Sequence, residues 1–330
     1  MIEEVAKEIY RIGVPLPKNP LKELNSYFIR GRERDLLIDT GFRCQECEQA
    51  LLRGLEELGS EPARRDVLIT HIHSDHSGMA DLMVGPGGKV YMSRTDLGYL
   101  RRVCSGETRN ALEARFLTEG FPDDVLDSAR RNNPARTMAM PRVPEDFIGL
   151  EAGDTLRAGD YCLRAVAAPG HTPGNMMFWA EEQGLMFCGD HILFDITPNI
   201  TAWIDVEDSL GLYLENLERA KNFPVKKALP GHRKAGDYHA RIDQLIAHHH
   251  RRLTEVLRIV GEEPEATAYE ITRHMTWKIR SRNWEEFPDA QKWFAVGECL
   301  AHLDYLRKRG LIRRENTDGI WHYETAASQK

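Results

Sequence analysis

Four residues of types that bind metal ions are crowded into residues 71–76, which read H-I-H-S-D-H. A predicted strand leads into this segment, and in extended chain His71 and His73 point to the same side, about 7 Å apart. Asp75 and His76 are expected to begin the next helix and to turn back from its first turn. Four potential ligands therefore converge from six residues, a pattern far more specific than a lone short motif.

Three later fragments share one design, because each places a metal-binding residue type beside a glycine after a predicted strand. They are Pro169–Gly174 with His171, Cys188–His191 with Asp190, and Leu229–His232 with His232. Loops at strand ends hold side chains rigidly at one edge of a sheet, where a metal site can be built. Mixed imidazole and carboxylate ligands suit zinc, and also iron or manganese, whereas calcium and magnesium favour oxygen ligands. We take zinc as the first choice.

The order of these residues resembles the fingerprint of the metallo-β-lactamase superfamily, which is H-x-H-x-D-H followed by a later His, a bridging Asp and a last His. Asp39-Thr40-Gly41 after an apolar strand and Asn25-Ser26-Tyr27 also match the opening pattern of that superfamily. The resemblance spans about residues 5–250 and implies an α+β fold, the αββα sandwich. One departure is Arg233, which stands where glycine often follows the last ligand.

The resemblance also implies roles for seven residues in a site for two divalent metal ions. The first ion would be bound by His71, His73 and His171, the second by Asp75, His76 and His232, with Asp190 as the bridge. A zinc ion lowers the pKa of bound water to about 7, so a metal-bridging hydroxide would serve as the nucleophile at neutral pH. Asp75 would be the catalytic residue that orients this hydroxide and accepts its proton. Asp39 and His191 are expected to support the ligands from behind.

The elements that must position these residues fall into two runs of short strands with a helical segment between them. The predicted strands are Ser26–Arg30, Asp35–Asp39, Asp66–Thr70 and Lys89–Arg94, then Thr155–Ala168, Asn175–Ala180 and Leu185–Cys188. Between the runs, residues of about 95–144 are polar and helical in pattern, with breaks at Gly120-Phe121-Pro122 and Asn133-Pro134. We predict a helical insertion that forms a wall or lid beside the metal-binding edge.

The catalytic domain is predicted to occupy residues 1–250 and a C-terminal unit residues 251–330. A helical stripe over Ala240–Val260 predicts one helix that leads from the first into the second. The elements predicted after it are a helix at Thr267–Trp277, a helix at Trp293–Arg309 and a hairpin over Leu311–Glu324 that turns at Asp318-Gly319. Helix, helix, helix, hairpin is the winged-helix order, and this tail resembles the one attached to the intracellular LACTB-like branch of the superfamily.

The C-terminal unit is expected to pack and to shape the pocket rather than to read DNA. It carries 14 basic against 13 acidic residues, and the first 250 residues carry 30 against 38. This balance does not predict tight nucleic-acid binding, which depends on neutralising phosphates. Four aromatic residues are more than a unit of this size needs for its own core, so some should bury against the catalytic domain or the second subunit of a homodimer. They are Trp277, Trp284, Phe287 and Trp293.

Composition excludes several classes of protein. With 42% hydrophobic and 29% charged residues, the chain is typical of a globular protein. No apolar run approaches the roughly 18 residues of a membrane span, and Glu3, Glu4, Lys7 and Glu8 stand where a signal peptide would be apolar. We therefore expect a cytoplasmic protein that does not bind membranes, and secreted antibiotic resistance is disfavoured.

The leading functional hypothesis is a metal-dependent hydrolase that acts on an ester, thioester or lactone of a small metabolite. A single-strand-specific ribonuclease or phosphodiesterase is the first alternative, suggested by the resemblance of the tail. Iron-dependent oxygen or persulfide chemistry is the second, because the same ligand types accept iron. A DNA-binding regulator with an inactive catalytic domain is the least favoured, since no predicted ligand is missing.

Overall fold

The computed structural model describes residues 1–277 and 283–326. The C-terminal unit predicted at residues 251–330 therefore includes two short ranges, 278–282 and 327–330, that lie outside the described residues. In the larger part of the chain two β-sheets face each other, and helices cover their outer surfaces. This is the αββα arrangement that was expected.

The first sheet has seven strands in sequential order. They are β1 (Ile2–Ala6), β2 (Ile9–Pro15), β3 (Glu23–Ile29), β4 (Asp35–Ile38), β5 (Arg65–Leu68), β6 (Val90–Ser93) and β7 (Ile148–Leu150). Strands β1 to β4 are antiparallel, whereas β4 to β7 are parallel. Parallel neighbours need crossover connections, and helices occupy those connections here. All four residues of β4 are buried, as expected for a strand between two layers.

The second sheet has five strands. They are β8 (Thr155–Ala158), β9 (Tyr161–Ala167), β10 (Met176–Ala180), β11 (Leu185–Gly189) and β12 (Lys227–Pro230). Their spatial order is β12, β11, β10, β9, β8, with only the β11 and β12 pair parallel. The single strand predicted at Thr155–Ala168 is wrong, because Gly159 adopts a φ of +59° and turns the chain between β8 and β9.

Helices cover both outer surfaces of the sandwich and also form the insertion and much of the C-terminal unit. They are α1 (Gln45–Glu57), α2 (Ser74–Ser77), α3 (Ala80–Met83), α4 (Arg94–Cys104), α5 (Glu107–Thr118), α6 (Asp123–Asn132), α7 (Pro134–Thr137), α8 (Ser209–Ala220), α9 (Tyr238–Glu262), α10 (Ala268–His274) and α11 (Asp289–Lys308). Apolar residues of α1, α3 and α4 pack on the outer face of the first sheet, and those of α8 and α9 pack on the second. Among the described residues, none of the helices has both the length and the apolar character that crossing a bilayer requires.

The predicted helical insertion consists of α4 to α7. The two interruptions of the helical pattern that the sequence predicted lie between α5 and α6 and between α6 and α7. Helix α5 contacts the C-terminal unit, because Phe116 stacks on Trp293 with ring centroids 3.9 Å apart and Arg115 Nη2 donates to Asp304 Oδ2 at 2.7 Å. The insertion therefore joins the two parts of the chain, and Trp293 is one of the tail aromatics expected to make such a contact.

Helix α9 is 25 residues long and spans the predicted boundary between residues 250 and 251. After α10 and α11 come the paired strands β13 (Ile312–Thr317) and β14 (Ile320–Thr325). Asp318 and Gly319 join them with φ values of +52° and +88°, as a two-residue type I′ turn requires. The order helix, helix, helix, hairpin is the predicted one, and the identification of this unit as a winged helix remains a prediction.

Candidate metal centre

Strand ends bring the seven predicted ligands to one edge of the sandwich. His71 and His73 follow β5, Asp75 and His76 lie on α2, and the loops after β9, β11 and β12 carry His171, Asp190 and His232. Because β11 and β12 are parallel, the residues that follow them emerge at the same edge. The two sheets touch here, since Met176 N donates to Thr70 O at 3.0 Å.

The first group of ligand atoms belongs to His71, His73 and His171. Their ligand atoms all lie within 4.8 Å of one another, and His71 Nε2 faces His73 Nδ1 at 3.1 Å. The rings of His73 and His171 are perpendicular, with an interplanar angle of 88°. Three imidazoles therefore point at one centre from two different loops.

The second group belongs to Asp75, His76 and His232. His76 Nε2 faces His232 Nε2 at 3.2 Å, and Asp75 Oδ2 lies 3.4 Å from His232 Nε2. Asp190 lies between the two groups, because its Oδ1 is 3.4 Å from His76 Nε2 and its Oδ2 is 3.8 Å from His171 Nε2. This is the position that a bridging carboxylate would occupy.

The residues fit two divalent metal ions. Tetrahedral zinc with Zn–N bonds of 2.0–2.1 Å holds two ligand nitrogens roughly 3.3 Å apart, close to the 3.1 and 3.2 Å between facing imidazole nitrogens here. His171 Nε2 and Asp190 Oδ1 are buried without a hydrogen-bond partner, and buried polar atoms are normally satisfied. Cations at the two centres would satisfy both atoms and separate the facing lone pairs.

Hydrogen bonds from Nδ1 orient most of the imidazoles. The oxygen atoms that accept these bonds are Asp39 Oδ2 for His76 at 2.7 Å, Glu23 O for His232 at 2.8 Å, Asn199 O for His171 at 2.9 Å and Thr70 Oγ1 for His71 at 3.0 Å. A carbonyl or carboxylate oxygen only accepts, and the Thr70 hydroxyl donates its own proton to Asp39 Oδ2 at 2.8 Å, so Nδ1 carries a proton in each case. In the neutral imidazole Nε2 then directs its lone pair at the centre. Asp39 supports the site as expected, whereas the ring of His191 packs against Tyr213 with centroids 5.1 Å apart.

The imidazoles of the two groups of predicted ligands differ in their pKa values. Burial and neighbouring imidazoles lower the pKa of His71 well below its usual value and that of His73 to about 3. Burial also opposes a charge on His232, but Asp190 outweighs it and raises the pKa of His232 to about 10. Although burial raises the pKa of a carboxyl, His232 and His76 hold that of Asp190 well below its usual range and that of Asp75 at about 2. Both carboxylates are therefore ionised at neutral pH.

Asp96, which the sequence did not single out, holds two of the ligand-bearing loops together. Its Oδ2 accepts hydrogen bonds from Ile72 N at 3.0 Å and from Thr172 Oγ1 at 2.7 Å, and its Oδ1 accepts one from Gly174 N at 2.6 Å. Burial raises the pKa of Asp96 to about 7 against these three hydrogen bonds, which lower it. The first turn of α4 thus lies directly behind the His71 and His171 loops.

Replacement of Asp96 by Asn is expected to lower the free energy of unfolding by about 2–3 kcal/mol, since an amide NH₂ would face hydrogen-bond donors that are left buried and unsatisfied. Urea denaturation followed by circular dichroism measures the change. Asp124→Asn, at an exposed position of α6, is the control and should shift stability by less than about 0.5 kcal/mol. Equal stability of the two variants would contradict the role given to Asp96.

Aromatic side chains line the first group, and their positions had no signature in the sequence. The indole of Trp203 stacks on the ring of His73 with centroids 5.9 Å apart, and its Nε1 donates to His171 O at 3.1 Å. Tyr99 packs edge-on against Trp203 and donates its hydroxyl to Ile204 O at 2.6 Å. Both residues are partly buried against the first core layer, together with Met138.

Arg233 follows the last predicted ligand in a backbone conformation that favours glycine. Its φ is +63°, which costs roughly 1–2 kcal/mol for a residue with a side chain. Arg233 Nη2 donates to Pro20 O at 2.8 Å, and Arg233 O accepts from Asn25 Nδ2 at 2.8 Å. These contacts fix Arg233 where the sequence departs from the expected glycine.

Two family models match the chain. The one described as Metallo-beta-lactamase superfamily matches residues 22–232, which include all seven predicted ligands. The one described as Metallo-beta-lactamase-like, C-terminal domain matches residues 253–326.

Known proteins resemble the chain over different shares of its length. Beta-lactamase-like protein 2 homolog of Caenorhabditis elegans is 24% identical, and the match covers 98% of this chain and 90% of the length of that protein. Acyl-coenzyme A thioesterase MBLAC2 of Homo sapiens is 26% identical, and the match covers 63% of this chain and 72% of the length of that protein. The solved structure of a metallo-beta-lactamase family protein from Thermus thermophilus is 28% identical, with a TM-score of 0.81 over 97% of this chain and 99% of its own.

Proposed function

This chain belongs to the metallo-beta-lactamase superfamily and is a hydrolase, and we propose that it uses two divalent metal ions to hydrolyse an ester bond of a small metabolite. Thioesters are the substrate class that we propose first. The observation that carries the proposal is the buried constellation of predicted ligands at one edge of the sandwich. These ligands are His71, His73, Asp75, His76, His171, Asp190 and His232. Zinc is the first choice of metal because its preferred ligands and distances match this set.

The two carboxylates of the site have different roles in the proposed reaction. When bound, the two ions would polarise the substrate carbonyl and acidify a water molecule. Asp75 is ionised at neutral pH and partly reachable, with 9% of its surface exposed, so its carboxylate can orient that water and accept its proton. Asp190 carries a second negative charge between the groups and balances part of the positive charge.

A thioester is supported by the relatives and by the walls of the site. The name of the human relative describes an acyl-coenzyme A thioesterase, and an acyl chain needs apolar surface beside the reacting carbonyl. Trp203, which stacks on His73, and Tyr99, which packs against Trp203, supply such surface next to the first group.

The basic residues of the C-terminal unit support a small substrate rather than a nucleic acid. Each of the five clustered bases lies within 4 Å of a carboxylate. The pairs are Arg307–Asp304, Lys308–Glu207, Arg309–Asp208, Arg313–Glu324 and Arg314–Glu119. Since these charges are already compensated, this cluster offers little attraction to a phosphate backbone.

A panel of substrates tests the proposal. Metal-replete protein is assayed with acyl thioesters, lactones, an activated phosphodiester and a labelled single-stranded RNA, with Asp190→Ala as the control for contaminating activity. We expect thioester hydrolysis to exceed the other rates and to vanish in the control. Cleavage of RNA alone would favour the ribonuclease alternative. Iron in protein purified without added metal would favour oxygen or persulfide chemistry.

Trp203 is predicted to select the acyl group. Trp203→Ala should lower kcat/KM for a long-chain acyl thioester about tenfold, because burying a large apolar group contributes roughly 1.5–3 kcal/mol, and should change that for an acetyl thioester much less. Trp203→Phe keeps the apolar wall but loses the hydrogen bond to His171 O, so it is the matched control. Equal losses for both substrates would mean that the indole positions His171 instead of contacting the acyl chain.

A further inference from the structure

We infer that helix α11 of the C-terminal unit positions His171, and with it the first metal site, by holding residues 199–202 of the loop between β11 and α8. The inference rests on the proposed function in one respect, which is that His171 is taken as a metal ligand. It assigns positioning roles to three residues that are not themselves predicted ligands, Asn199, Gly297 and Glu298.

The backbone of Asn199 sets the orientation of the His171 ring. Asn199 O accepts the hydrogen bond from His171 Nδ1 at 2.9 Å, and this bond directs Nε2 to the centre of the first group. The side chain of Asn199 reaches α11, where Nδ2 lies 3.4 Å from both Phe294 O and Glu298 Oε2. The carbonyl that orients His171 is therefore anchored to the C-terminal unit through the same residue.

Gly297 allows α11 to approach this loop closely. Ala202 N donates to Gly297 O at 3.1 Å, so the loop and the helix are joined by a backbone hydrogen bond. A Cβ atom at position 297 would lie 2.2 Å from Thr201 Oγ1 and 3.3 Å from Thr201 Cβ, so the Thr201 side chain must rotate or the two segments must separate. Even the smallest side chain at this position would disturb the contact between the loop and the helix.

Glu298 is in turn fixed by the rest of the C-terminal unit. Its Oε1 accepts from Arg252 Nε and Nη2 at 3.3 Å, which leaves Oε2 for Asn199. Arg252 also donates to Thr276 O at 2.8 Å and lies over the ring of Trp277, 4.4 Å from its centroid. The Glu298 and Arg252 side chains are only 15% and 9% exposed, so a rigid chain of contacts leads from α9 to His171.

The second group receives its support elsewhere. His76 is oriented by Asp39 and His232 by Glu23 O, both in the first sheet and its loops. Asp190 follows β11 directly and lies outside the contact with α11, so loosening the contact between α11 and residues 199–202 should weaken one metal site and spare the other. A general loss of stability would weaken both alike.

Gly297→Ala in the full-length chain tests this difference by titration of chelator-treated protein with Zn²⁺ against a chromophoric competitor. We expect wild type to bind two ions and the variant to bind one of them 10- to 100-fold more weakly, the range seen when an outer hydrogen-bond partner of a metal ligand is lost. Nitrogen NMR of labelled histidines identifies the weakened site, because the His171 resonances should shift late and those of His232 early. Gly261→Ala on α9 is the matched control, since a Cβ there meets Thr325 Cγ2 at an ordinary 3.7 Å.

Glu298→Gln is the second variant, and it decides the case if Gly297→Ala does not fold. It keeps the shape of the side chain but loses the charge that holds Arg252, so the same site should weaken about tenfold. Wild-type affinity at both sites in the folded variants, or equal weakening of both, would overturn the inference. Wild type that binds two ions but cleaves no thioester would overturn the substrate assignment alone.

Discussion

Asp75→Asn is expected to lower kcat about 100- to 10,000-fold, the contribution typical of a positioned general base, while the protein stays folded. Asn has nearly the same shape as Asp but carries no charge and does not accept a proton at neutral pH. Steady-state kinetics on the best thioester of the panel measure the loss, with circular dichroism to confirm the fold.

Asp160→Asn is the matched control for this variant. Asp160 lies exposed in the turn between β8 and β9, where its carboxylate pairs with Arg32 and Lys7, so its replacement should leave kcat within a factor of about two. Metal analysis of Asp75→Asn separates two ways of losing activity. Two bound ions with little turnover support the base role, and one bound ion means that Asp75 acts chiefly as a ligand. Activity within about tenfold of wild type would refute both.

The part of the site that could be predicted from the sequence is the part whose geometry is local. His71, His73, Asp75 and His76 are positioned by a strand end and the helix that follows it within six residues, so their spacing alone fixes which way they point. His171, Asp190 and His232 each accompany a glycine at a predicted strand end, but that local signal is weak for any one of them. Their prediction as ligands depended on their order along the chain, which resembles the fingerprint of the superfamily.

The residues that orient the ligands could not be found in this way. Asp96 joins Ile72 and Thr172, which lie 24 and 76 positions away, and Asn199 joins His171 to a helix 99 positions further along at Glu298. Such contacts depend on how separate elements pack against each other. The sequence around a single polar residue in a helix or loop has no periodic pattern or motif that predicts which distant residue it will contact. Trp203 was missed for the same reason.

Strand β2 was missed because two of its residues look like turn signals. Gly13 and Pro15 stand in this strand, where both residue types are usually unfavourable. A Cβ at Gly13 would lie 2.7 Å from the Glu23 carboxylate on β3, so the glycine leaves room for a neighbouring side chain that crosses it. Pro15 is the last residue of the strand, where a missing N–H is tolerated. The hairpin of the C-terminal unit was easier, since Asp-Gly turns carry their own signature.

Removal of metal is expected to abolish turnover and to lower the free energy of unfolding by about 5–8 kcal/mol, if each of the two ions was present at 100 to 1,000 times its Kd. The physical reason is that the ions bind the folded chain only, because the ligands come from four separate strand ends and are scattered in the unfolded chain. Without them, His171 Nε2 and Asp190 Oδ1 stay buried and unsatisfied. Chelator treatment followed by urea denaturation and elemental analysis measures stability and stoichiometry together.

Zinc added back in steps separates the binuclear site from its alternatives. Two ions per chain, with activity rising only as the second binds, is the outcome that the shared position of Asp190 between the two groups requires. About one ion per chain, unchanged by added zinc, would contradict the binuclear site and favour a mononuclear iron enzyme. An unfolding midpoint unaffected by the chelator would contradict the assignment of these buried residues as ligands. Metal ions that bind two carboxylates and several imidazoles in the folded chain alone must stabilise the fold.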